Sequence, residues 1–125
     1  MDEKKILPPD HGSGRSCEKI RRSMPDAETV SNVADALKQL GDPSRLRIFW
    51  LLCHCEECVM NLSALMEMSS PAVSHHLKQL RAAGLITSRR EGKEVYYKAT
   101  DSDQSRLLHE MIEAMVKITC PDIQE

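Results

Sequence analysis

Aromatic side chains are scarce in this sequence: one Trp, one Phe and two Tyr, 3% of 125 residues. A surface that stacks successive bases of a single strand needs more of them. No apolar run approaches the roughly 18 residues of a membrane-spanning helix. Met1-Asp2-Glu3-Lys4-Lys5 lacks the apolar stretch of a secretory leader. The expectation is a cytoplasmic protein without a membrane partner. Structural disulfides are rare in that compartment, and five cysteines, an odd count, agree with it. There such thiols pack in a core, bind metal or react. Internal repeats and low-complexity blocks are absent. So is an excess of one charge: 17 basic and 19 acidic residues leave −2. A total so near neutral argues against nucleic acid only if the charge is evenly spread. The length supports one core and one domain.

Residues 1–25 read as a flexible N-terminal arm, punctuated by Pro8-Pro9, Gly12, Gly14 and Pro25, with a short amphipathic turn at 17–22. Helical signals follow in series. Asp26 caps a helix whose buried face is Thr29, Val30, Val33, Ala34, Leu37 and Leu40, ended by Gly41 in a left-handed conformation. Asp42-Pro43 restarts the chain as an N-cap and a first-turn proline, and Leu46, Ile48, Phe49, Leu51 and Leu52 carry that helix. A short helix lies near 61–66. Ser69 or Ser70 caps another beginning at Pro71, with Val73, Leu77 and Leu80 as core, stopped by Gly84. Then the period changes. Residues 85–88 and 95–98 read as strands, with 89–93 as a glycine-containing turn. A last helix starts within 101–105. Its stripe of Leu107/Leu108, Met111/Ile112 and Met115/Val116 packs on its own domain or on a second copy.

This order is mainly α with a small β-hairpin, a winged helix-turn-helix plan. Residues 26–120 form it, for DNA binding and dimerisation, and 121–125 are a tail. The expected homodimer joins through the first and last helices. Charge resolved by segment agrees with a reading head. Over 70–98, Lys78, Arg81, Arg89, Arg90, Lys93 and Lys98 against Glu91 and Glu94 leave +4. Over 101–125, Arg106 and Lys117 against Asp101, Asp103, Glu110, Glu113, Asp122 and Glu125 leave −4. The basic segment can neutralise phosphates of double-stranded DNA and release counterions. A charged, solvated helix face is the competing reading. Ser70, Ala72, Ser74, His75 and Lys78 are the candidate base readers, because small or donating side chains at a helix start approach base edges. Arg81 joins them on the basic helix. Arg89, Arg90 and Lys93 would grip phosphate or reach the minor groove.

At Ser69-Ser70-Pro71-Ala72-Val73-Ser74-His75-His76-Leu77-Lys78-Gln79-Leu80-Arg81-Ala82-Ala83-Gly84-Leu85-Ile86 the chain resembles the ArsR/SmtB metalloregulators. Arg89-Arg90-Glu91-Gly92-Lys93-Glu94-Val95-Tyr96-Tyr97 looks like their wing, and Leu40-Gly41-Asp42-Pro43-Ser44-Arg45-Leu46-Arg47-Ile48 like the entrance to their second helix. The resemblance covers residues 28–118 in order. It implies a dimeric repressor whose metal-free form binds two operator half-sites and whose metal-bound form releases them. Such operons commonly encode exporters or detoxifying enzymes. Metal and DNA then disfavour each other reciprocally.

Cys53-His54-Cys55-Glu56-Glu57-Cys58 sets three thiols within six residues. Thiolates suit cadmium, lead, zinc, copper(I) or arsenite. In the family this stretch carries Glu-Leu-Cys-Val-Cys-Asp. Here Cys58 matches the first cysteine and Met60 stands where the second belongs. The ligand set implied is Cys55 and Cys58, completed by Cys17 and His11 from the arm of the other subunit. Cys53 reads as a small core hydrophobe. A second family site on the last helix would need ligands at Asp101, Asp103, Ala114 and Lys117, and the last two cannot serve. His109 and Glu113 share a helix face and read as a solvated pair; Cys120 is a spare ligand or a tail thiol. The expected effector is a thiophilic metal ion, with no organic cofactor and no enzymatic activity. Two alternatives are a redox-sensing repressor using Cys55 and Cys58, which needs low-pKa thiols beside Glu56 and Glu57, and a small thiol-disulfide enzyme, for which the βαβ context is missing.

Overall fold

The structure, a computed structural model, describes residues 14–119. Two compact units divide the chain, Met1–Asn32 and Val33–Glu125. In the first, the expected turn is a short helix, α1 (Gly14–Arg22). Lys19, Arg21 and Arg22 occupy its last turn, where cations meet the negative end of the helix dipole. Glu18 pairs with Arg21 at 2.6 Å.

Helix α2 (Ala27–Gln39) begins in the first unit and ends in the second. Its cap is Asp26, whose Oδ1 accepts from the Thr29 N–H at 2.8 Å. Two expectations for α2 are corrected. Gly41 is not left-handed: the glycines with positive φ among the described residues are Gly84 and Gly92. Glycine suits position 41 because a Cβ there would lie 3.2 Å from the Lys38 carbonyl oxygen. The buried face also differs. Ala36 and Leu40 enter the core, while Val30, Val33 and Leu37 stay 49%, 48% and 46% exposed. The apolar residues of α2 thus divide between two faces, and one is open in a single chain.

Helix α3 (Pro43–Leu52) starts as expected: Asp42 Oδ2 accepts from the Arg45 N–H at 2.9 Å, with proline in the first turn. Ile48, Phe49 and Leu52 bury its inner face. A two-residue strand, β1 (Glu57–Cys58), precedes α4 (Val59–Met66) and α5 (Ser70–Ala82). Ser69 caps α5 by accepting the Ala72 N–H at 3.2 Å. Gly84, at φ +77°, then turns the chain into the sheet.

Strands β2 (Ile86–Glu91) and β3 (Glu94–Ala99) are longer than the sequence pattern suggested. The turn between them shrinks to Gly92-Lys93, with Gly92 at φ +64°. The antiparallel sheet has order β1-β3-β2, and Cys58 lies opposite Tyr96. Helix α6 (Asp103–Thr119) begins where Ser102 Oγ accepts from the Ser105 N–H at 3.1 Å. Its apolar stripe splits. Leu108 and Ile112 are buried; Leu107 and Met111 are 66% and 38% exposed. Val73, Leu77, Leu80, Leu85 and Ile86 complete the core. Among the described residues no helix is long and apolar enough to cross a membrane.

Candidate nucleic-acid interface and metal ligands

Helices α4 and α5 meet at a tight turn in which Glu67 takes a left-handed φ of 55°. Val73, Leu77 and Leu80 are anchored below at 0%, 2% and 0% exposure. The opposite face carries Ser70, Ser74, His75, Lys78 and Arg81, all exposed, with Ala72 half-buried. Ser70 Oγ lies 3.1 Å from Ser63 Oγ, which ties the start of α5 to α4. His76 turns inward instead. Arg45 Nη1 donates to its Nδ1 at 3.3 Å, and Asp42 Oδ2 lies 3.9 Å away. Burial holds the His76 pKa below its ordinary 6.5, against the pull of Asp42.

On the wing, Arg90 and Lys93 are exposed near the hairpin tip. Arg89 is engaged within the protein. Its Nε and Nη2 donate to Glu56 at 2.8 and 3.0 Å, and its Nη1 to Glu91 at 2.7 Å. Its guanidinium also lies 5.1 Å from the centre of the Tyr96 ring. Hydrogen bonding to Arg89 lowers the Glu56 pKa.

The thiols are dispersed. Cys17 is exposed on α1. Cys55 is exposed, and its thiol donates toward the Leu51 carbonyl at 3.5 Å and Glu57 Oε2 at 3.9 Å. Desolvation, then the Glu57 charge, push its pKa up. Cys58 is buried in β1 at 6% exposure. Burial, with Glu113 adding to it, pushes the Cys53 thiol up to about 11. His11 and Cys120 lie outside the described residues. Among the described residues, no group of three close metal-binding side chains includes Cys55 or Cys58.

One such group does form, from His54, His109 and Glu113. His54 Nε2 and His109 Nε2 are 3.0 Å apart, and Glu113 Oε2 lies 3.6 and 3.4 Å from them. Trp50 Nε1–H donates to the same Glu113 oxygen at 2.5 Å, and the Trp50 ring packs on His54 with centroids 4.5 Å apart. Hydrogen bonding from Trp50, then the nearby histidines, hold the Glu113 carboxyl below its ordinary range. Sequence reasoning paired His109 with Glu113 but missed His54 and Trp50, which come from α3 and its end. The signal available was the helical spacing of Trp50 and His54.

Residues 42–88 match the family described as bacterial regulatory protein, arsR family. The transcriptional repressor SmtB homolog of Synechocystis sp. is 37% identical over 97 residues, 75% of this chain and 74% of the relative. The cadmium resistance transcriptional regulatory protein CadC homolog of Staphylococcus aureus is 33% identical over 94 residues, 73% and 78% of the two chains. The chain belongs to the ArsR/SmtB family.

It is a transcriptional repressor of that family and not an enzyme. Among solved structures, the homodimeric winged helix-turn-helix DNA-binding domain (fragment 1–100) of a Mycobacterium bovis protein superposes with TM-score 0.68. The match covers 82% of this chain and 97% of that one at 24% identity, so it speaks for the fold alone. Within this ArsR/SmtB chain, the last-helix positions that could have held metal are compensated differently. Asp101 and Asp103 each pair with Arg106 at 2.6 Å.

Proposed function

We propose that the chain is a metal-responsive repressor that grips operator DNA as a homodimer and releases it when a thiophilic ion binds. The observation that carries the DNA half is the two-faced α5: Val73, Leu77 and Leu80 buried, with Ser70, Ser74, His75, Lys78 and Arg81 outward. Such a helix can enter a major groove without unpacking its core. In this reading Ala72 meets thymine methyls at the helix start, and Arg90 and Lys93 take phosphates from the wing. Arg89 contributes only by giving up Glu56.

The apolar faces left open on α2 and α6 support a homodimer through the first and last helices of the 26–120 domain. The cadmium resistance named for the Staphylococcus aureus relative supports a thiophilic effector, of the class cadmium, lead, zinc or arsenite. Its ligands are Cys55 and Cys58, joined by Cys17 and His11 from the partner's arm, which suits a pair that forms no three-ligand group alone. The raised Cys55 pKa works against the redox alternative, which needs a ready thiolate.

The test is fluorescence anisotropy of the reduced protein on its upstream duplex, titrated with each metal. Salt-sensitive binding that weakens with metal and stops responding in Cys55→Ser and Cys58→Ser is expected. Binding indifferent to all four ions would refute the effector reading.

A further inference from the structure

The cluster of His54, His109 and Glu113 belongs to neither thiolate nor last-helix ligand set described above. Two imidazole ε-nitrogens at 3.0 Å cannot both turn lone pairs on each other; a proton or a cation must lie between them. The carboxylate oxygen of Glu113 closes the third side at 3.4 and 3.6 Å. A tetrahedral zinc-type ion with bonds of about 2.0–2.1 Å sets its ligand atoms about 3.3–3.4 Å apart. The observed edges of 3.0, 3.4 and 3.6 Å straddle that spacing.

The surroundings are those of a held site. Trp50 fixes the carboxylate from outside by donating to it, as outer partners of metal ligands do. A cleft of about 470 Å³ lined by Cys55, Asp101, Arg106 and both histidines gives access to the same place. His54, His109 and Glu113 are 44%, 27% and 42% exposed, so an ion from solvent can reach them.

We infer that His54 Nε2, His109 Nε2 and a Glu113 carboxylate oxygen form a binding site for a divalent first-row ion of the zinc or cobalt class, within one subunit. Two nitrogens and one oxygen favour such ions over cadmium, lead or arsenite, which prefer thiolates. The site clamps the end of α3 to α6. Binding would leave each histidine with its proton on Nδ1, the hydrogen that lies between the two ε-nitrogens in the metal-free pair moving to the Nδ1 of its own ring. The inference does not depend on the thiolate reading.

The test is cobalt(II) titration of the full-length reduced protein, with far-ultraviolet circular dichroism to confirm that each variant is folded. Visible d–d bands of tetrahedral cobalt are expected, separable from any thiolate-to-cobalt charge-transfer band that the cysteines contribute. Cys55→Ser and Cys58→Ser should keep them. His109→Ala and Glu113→Gln should weaken cobalt more than about 100-fold, since loss of an outer partner alone costs about 10–100-fold. Trp50→Phe, which keeps every ligand, should weaken it less. Absence of the bands in folded wild-type protein would overturn the site, as would bands unaltered in both ligand variants. Bands lost only in the cysteine variants would assign cobalt to the thiolates and overturn it equally.

Discussion

Arg89 in the wing holds Glu56 through two hydrogen bonds, 2.8 and 3.0 Å, across 33 residues of sequence. Both partners are at the surface, so the pair matters less for stability than for where the charge is spent. While Glu56 neutralises it, Arg89 offers little to a phosphate. Glu91 still holds Arg89 Nη1 at 2.7 Å, so Glu56→Gln should free part of that charge, tighten operator binding and steepen its salt dependence by at most about 0.9 in the log–log slope. Arg89→Ala should cost less affinity than Arg90→Ala or Lys93→Ala. Anisotropy at several salt concentrations reads both effects; a Glu56→Gln variant with unchanged slope would remove Arg89 from the interface.

The two faces of α5 should separate in mutagenesis. Leu77→Ala opens a cavity under the helix and should cost about 2–5 kcal/mol of stability, seen as a lower urea midpoint. Ser74→Ala and Lys78→Ala remove no core contact and should leave that midpoint nearly unmoved. Lys78→Ala should weaken operator binding instead, with about 1–3 kcal/mol lost from discrimination against altered sites if it reads a base. A uniform loss on specific and non-specific duplex would make Lys78 a phosphate contact.

What was legible in the sequence was local. Asp26, Asp42 and Ser69 announced helix starts because a cap needs only residues three apart. Gly84 and Gly92 announced chain reversals because few other residues accept their φ. Strand β1 was not legible: two residues carry no period, and its existence depends on Tyr96 and Tyr97 far along the chain. The outer halves of β2 and β3 were missed because Arg89, Arg90 and Glu94 are polar and lack the alternation of a half-buried strand. The α2 stripe was seen but not its sides, since periodicity does not say which partner covers a face. His54 and His109 are separated by 55 residues, so only the fold could unite them.

His76 makes stability pH-dependent. Burial lowers its pKa below 6.5, and the Arg45 and His75 charges act the same way while Asp42 opposes them. Its Nδ1 accepts from Arg45, which requires the ring neutral at that nitrogen. An unfolded chain takes up this proton near 6.5, where the folded chain still refuses it. The contribution is therefore complete above that pH and lost as pH falls through the lower folded value. Unfolding by urea should show wild-type stability falling as pH drops below about 6.5, with a smaller drop in His76→Gln. Equal drops would place the titrating group elsewhere.

Val33 and Leu37 on α2 and Leu107 and Met111 on α6 are 48%, 46%, 66% and 38% exposed, too much apolar surface for a helix face meant for water. Leu37, Leu107 and Met111 each adjoin a buried residue, Ala36, Leu108 and Ile112. Replacing Met111 with Asp, or Leu37 with Asp, sets a charge on that face while leaving the core residues Ile112 and Leu40 in place. Sedimentation equilibrium should then give half the wild-type mass. Operator affinity should fall steeply, because one subunit carries one reading head and loses the second half-site. Dimers of unaltered mass in both variants would put the interface on another surface. A monomer that still binds full operator as tightly would separate dimerisation from DNA recognition.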